Sequence, residues 1–199
     1  MSNPSYATGL RNGTRRLVRD GLLEAAHVMD IEVGGHPFSS GRARTISIAL
    51  LGGLPQQAEV FTRADQGVRG AIQSAFSAFT MDSFPFWRPI QPSYRSDGPH
   101  ETLAPGAVAA AGAMATDVIA DHGAAWSILY LIAFTEGPLV GSSVIVLLCG
   151  SDIGDRHEAT DARDRIFDAI CAAAGSTVDT MAEFPVLAGI RPAGMGVGA

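Results

Sequence analysis

The sequence predicts an α+β fold: a mostly antiparallel four- to five-stranded sheet with about four helices packed on it. Three observations predict it. Two apolar runs, WSILYLIAF and SSVIVLLC, are each too short to span a bilayer as a helix and are cut apart by Gly137 and Pro138, as strands buried on both faces would be. Segments with apolar residues at helical spacing flank them and end at glycines. The strand-like runs are joined by short turns, which favours antiparallel neighbours with helices stacked on a face of the sheet.

Taken in order, the spacing of Val18, Leu22, Ala25 and Met29 predicts a first helix over 15–29, followed by an extended IEV. GGHPFSSGRAR is a loop by its glycines, proline and serines, and TISIALL after it is a strand ending at Gly52 and Gly53. AEVFT is expected as the hairpin partner of that strand. Asp65 is placed to cap a helix through Val68, Ile72, Phe76 and Phe79. Residues 82–103 break every period with prolines among Phe84, Phe86, Trp87 and Tyr94, so they read as an irregular aromatic arm.

Pro105 then opens an alanine-rich helix closing at Gly123, since proline is tolerated in a first helical turn and glycine suits the position past the end. The two apolar strands follow. Asp155 and Glu158 have capping-box spacing ahead of a helix with Ala162, Ile166, Ile170 and Cys171 on one stripe, stopping at Gly175. The chain is therefore expected as one domain, 1–199, with possible halves 1–81 and 104–177 joined by the arm. Helix, strand, strand, helix occurs twice in this reading, which allows an internal duplication of about ninety residues, although little residue identity links the halves.

All fourteen cationic side chains are arginine. A lysine-free chain can form no Schiff base, anchor no pyridoxal phosphate and build no Walker lysine. The net charge of −6 is uneven, +2 over 1–100 and −8 over 101–199, a split that disfavours broad nucleic-acid binding and permits contact between complementary surfaces. Arg11, Arg15, Arg16 and Arg19 are expected on one face of a surface helix. Two cysteines in apolar contexts read as reduced core thiols, and Arg19, Asp20 and Glu24 interrupt any signal-like apolar segment, so a cytoplasmic location is expected.

Chemistry has three candidate places. In CGSDIGDRHE, Cys149 ends a strand and Asp152 and His157 follow, the residue types of a thiol activated beside a histidine; Asp155 and Glu158 are already explained as caps. Ser39, Ser40, Arg42 and Arg44 in the glycine-rich loop could wrap a small anionic ligand, although the spacing is not that of a phosphate loop. His100 and Glu101, at the end of the arm with Arg88 and Arg95, form an acid–base pair that a lid would bring over a pocket. Asp117, Asp121 and His122 read as a solvated helix face and Glu136 as a turn acid. No metal site, cofactor, nucleic-acid partner or membrane contact is expected. With no strong catalytic motif, the sequence reads as a homo-oligomeric assembly or binding protein of the kind found in virus or phage particles, with Phe84, Phe86 and Trp87 and the chain ends making intersubunit contacts. The alternative is a small cytosolic hydrolase or lyase acting on an anionic metabolite.

Overall fold

The computed structural model describes residues 5–34, 44–77, 102–151, 159, 161–176 and 181–190. Their elements are α1 (Ser5–Arg19), β1 (Ala25–Val33), β2 (Arg44–Gly52), α2 (Gln57–Ser77), α3 (Ala107–Ala120), β3 (Trp126–Phe134), β4 (Ser143–Gly150), α4 (Arg163–Ala174) and β5 (Met181–Ile190). The five strands form one antiparallel sheet in the order β1-β2-β4-β3-β5. The α+β class is therefore as expected.

The helices lie on both faces of the sheet rather than one, and the strands show why. Every residue of β3 and β4 is buried, so each presents an apolar row upward and another downward, and both rows need cover. Ile128, Ile132, Val146 and Leu148 pack with Val60, Phe61 and Val68 of α2 and Ile166 and Ile170 of α4. Leu129, Leu131, Ile145 and Leu147 pack with Leu10 and Leu17 of α1 and Ala111, Met114 and Val118 of α3. Two cores thus sandwich one sheet, and side chains such as Phe61 and Ile145, with 0% exposure, contribute roughly 1.5–3 kcal/mol each by burial.

Four expectations are corrected. The first helix is α1, Ser5–Arg19, not 15–29; of its buried Tyr6, Ala7, Gly9, Leu10, Gly13, Thr14 and Leu17, four are small residues that carry little periodic signal. Residues 25–29 belong instead to β1, whose odd positions Ala25, Met29, Ile31 and Val33 join the α2-side core. AEVFT is not a strand but part of the first two turns of α2, because Val60, Phe61, Ala64 and Val68 continue one helical stripe. Asp65 consequently sits inside α2 and caps nothing. β5 was not expected at all: Pro185 lacks an N–H and argues against a central strand, but it is accommodated at the sheet edge beside an irregularity at Leu129/Tyr130.

The alanine-rich helix is α3, which ends before Gly123 as expected, and α4 ends at Gly175 in the left-handed region, where its N–H bonds the Ala172 carbonyl. Glu136 is exposed in the turn between β3 and β4. Among the described residues, no helix is long and apolar enough to cross a membrane.

Candidate functional site

Polar side chains gather around β1, at the edge of the sheet that the described residues form. The alternation of a strand sends His27 to the α2 side and Asp30 to the α1 side. Asp30 accepts from Arg11 of α1 and, at 2.7 Å, from the Ser47 hydroxyl of β2. On the other side the His27 Nε2 meets Asp65 Oδ2 of α2 at 2.8 Å. Arg69, one turn further along α2, donates from Nε to Asp65 at 2.6 Å and from Nη1 to the Asp30 main-chain carbonyl at 2.7 Å. One guanidinium therefore ties helix to strand edge, and the network clasps β1 from both faces.

The electrostatics follow from these contacts. The hydrogen bond from Arg69 holds the Asp65 carboxyl below the usual carboxylate range, with partial burial opposing it and His27 assisting. An anionic Asp65 beside His27 has the form of a carboxylate–histidine pair, but among the described residues Asp65 is the one hydrogen-bond partner of that imidazole, and no nucleophilic side chain bonds to it. The arrangement can clamp an edge strand. Strand edges need such protection, since their unpaired backbone groups invite further strands.

A second polar cluster lies where the two sequence halves meet. Gln57 is fully buried; its Oε1 accepts from the Leu54 N–H at 3.0 Å, and its Nε2 donates to the Ser143 carbonyl at 3.1 Å and Ser142 Oγ at 3.3 Å. The Thr102 hydroxyl accepts from the Ser143 N–H at 2.9 Å. The amide is paired on both of its ends, so this too is a structural fastening.

The sequence-derived candidates are placed as follows. Cys149 is in the α1/α3-side core with 0% exposure, and burial pushes its thiol far above the ordinary range, so it is no activated nucleophile. Cys171 is likewise a free buried thiol. Arg44 is the first residue of β2, donates to the Gly34 carbonyl at 3.2 Å and lies 5.9 Å from the centre of the Phe76 ring. Arg11, expected on a surface face, is drawn into the β1 clasp, whereas Arg15, Arg16 and Arg19 are exposed as expected. Asp117 is half-exposed and 3.8 Å from Arg16; Asp121 closes α3, and His122 lies against Gly9 of α1. Ser39, Ser40, Arg42, Phe84, Phe86, Trp87, Arg88, Arg95, His100, Glu101, Asp152, Asp155, His157 and Glu158 lie outside the described residues.

The clasp residues His27, Asp30, Asp65 and Arg69 were missed by the sequence reading. The one available signal was Asp65 and Arg69 four apart on a helix. Among the described residues no group of histidine, cysteine and acidic side chains could hold a metal ion. Comparison with protein families, curated proteins and solved structures finds no match to this chain.

Proposed function

We propose that this chain is a homo-oligomeric assembly or binding protein and that α3 supplies a contact between copies. The observation that supports this is the composition of α3: AVAAAGAMATDVIA carries one charge in fourteen residues. Its buried stripe faces the sheet, yet its solvent side presents Ala109, Ala113, Thr116 and Ala120, all exposed. A surface helix ordinarily puts charge there, and a helix apolar all round is one that is covered. Charge complementarity points to a second copy as the cover. Exposed Arg15, Arg16 and Arg19 run along α1, and Asp117 and Asp121 lie along neighbouring α3, so a two-fold axis through this face sets the basic row of each copy against the acidic row of the other. The aromatic arm and chain ends remain further proposed contacts.

Light scattering on eluting full-length chain tests the reading. Wild type is expected above its 20.7 kDa chain mass, and Ala113→Arg, at an exposed position, is expected to return it to one chain with unchanged circular dichroism. Wild type running as a single chain throughout the micromolar range defeats it.

A further inference from the structure

The element order α1-β1-β2-α2 recurs as α3-β3-β4-α4, and the strand pairings recur with it. β1 and β3 are both nine residues long and lie 101 residues apart, while β2 maps onto β4 98 residues later. Those two shifts convert the β1–β2 register into the β3–β4 register, from Ala25↔Gly52 onto Trp126↔Gly150 through Glu32↔Thr45 onto Ala133↔Ser143. Each hairpin is anchored alike at its open end, Glu24 N–H to the Gly52 carbonyl at 2.9 Å and Ala125 N–H to the Gly150 carbonyl at 2.8 Å. Side chains keep their faces. Met29, Ile31 and Val33 share the α2/α4-side core with their counterparts Tyr130, Ile132 and Phe134, and Ala49 and Leu51 share the other core with Leu147 and Cys149. β5 follows the second set of elements and takes no part in the correspondence.

A residue on a two-fold axis meets its own counterpart, and this happens in all three layers. In the sheet, Ala49 pairs with Leu147 across β2 and β4. In the α1/α3 layer, where buried residues recur 101 later, a Cβ on Gly13 would stand 2.5 Å from Met114 Sδ. In the α2/α4 layer, where buried Val60, Ala64 and Val68 recur 102 later as Ala162, Ile166 and Ile170, a Cβ on Gly67 would stand 2.9 Å from Ala169 Cβ. Antiparallel central strands and helices that keep to their own faces require that axis to be normal to the sheet.

The correspondence breaks down in chemistry at one place. His27, Asp65 and Arg69, which bond one another or the β1 main chain, have Ile128, Phe167 and Cys171 as counterparts. On the opposite face Asp30 and Ser47 correspond to buried Leu131 and Ile145. The second set makes an apolar contact where the first makes ion pairs: the Phe167 ring stands edge-on to Tyr130 with centroids 6.0 Å apart. We infer that the chain is two fused α-β-β-α units about this axis, and that the His27–Asp65–Arg69 network is a specialisation of the first unit at a place the shared scaffold fills with apolar side chains. The register and the helix crossings do not require the network, since the second unit reaches the same arrangement without it.

Transplanting the second unit's residues into the full-length chain tests the specialisation. Asp65→Phe alone leaves His27 and Arg69 without their carboxylate and is expected to lower Tm. Adding His27→Ile and Arg69→Cys replaces the whole set by its counterparts, and the triple variant is expected to melt at least about 2 °C above Asp65→Phe, because removing all partners together avoids stranded polar groups. A triple variant melting at or below Asp65→Phe overturns the specialisation. An experimental structure of the unmodified chain tests the axis: one half turn should carry α1, β1, β2 and α2 together onto α3, β3, β4 and α4. A rotation far from a half turn, or one that superposes the strands but not the helices, overturns the fused pair.

Discussion

Two glycines three residues apart on α2 should respond oppositely to the same substitution. Replacing a helical glycine by alanine stabilises by roughly 0.5–1 kcal/mol through restricted unfolded-chain freedom and better helix propensity. At Gly70 a Cβ meets nothing within 4 Å among the described residues, so Gly70→Ala should show the full gain. At Gly67 the new Cβ would stand 2.9 Å from Ala169 Cβ and 3.6 Å from Ala169 Cα. Carbon atoms rest at about 3.5–4.0 Å, so α2 and α4 must part by more than half an ångström at their crossing. Ala169 cannot yield as a flexible side chain would, since its Cβ is fixed to the backbone. Such overpacking costs about 1–3 kcal/mol, which exceeds the propensity gain, and Gly67→Ala should destabilise by about 1 kcal/mol. The two variants should thus differ by about 2 kcal/mol, or roughly 4–8 °C in Tm for a chain of this size. Urea unfolding followed by circular dichroism, with unchanged slope, measures the difference. Gly67→Ala as stabilising as Gly70→Ala would refute the close α2–α4 approach.

Other outcomes follow from the polar fastenings. Because the folded Asp65 pKa lies below the unfolded value of 3.8, its bonds stabilise fully above that value and are lost as pH falls through the folded one; wild type should exceed Asp65→Asn by about 1–2 kcal/mol near neutrality, with the gap closing as pH falls below 3.8, and a gap independent of pH contradicts the assignment. Gln57→Leu removes the buried hydrogen bonds that Gln57 makes to the Leu54 N–H, the Ser142 hydroxyl and the Ser143 carbonyl and should cost about 2–4 kcal/mol in urea unfolding; wild-type stability would show that the cluster is not needed. Cys149 should resist a thiol reagent at pH 8 until the chain unfolds, and prompt reaction in the native state would restore it as a candidate nucleophile.

Much of the centre of this molecule could be read from local pattern. β3 and β4 are continuous apolar runs, α3 begins at Ala107 after Pro105 and its Gly106 N-cap, so that the proline precedes the helix instead of lying in its first turn, and α4 ends at Gly175. Those runs also implied burial on both sides, which already required helices on two faces. The helix over 15–29 was misplaced, while the extended IEV was read correctly, because α1 buries Gly9, Gly13 and Thr14, whose value lies in letting His122 and Met114 approach, a property of the neighbour and not of the residue.

The sequence by itself determined the α+β class, the lysine-free chemistry, the two inner strands and the helix ends beside proline and glycine, because each depends on interactions between residues close in the chain. Only the tertiary structure decided that Cys149 is sealed in a core, that Arg69 reaches from α2 to the Asp30 carbonyl, and that Gln57 joins Ser142 and Ser143 across the halves. Those outcomes depend on which residues, separated by tens of positions, the packing of two helical layers on one sheet brings within hydrogen-bonding distance, and no local pattern encodes that distance.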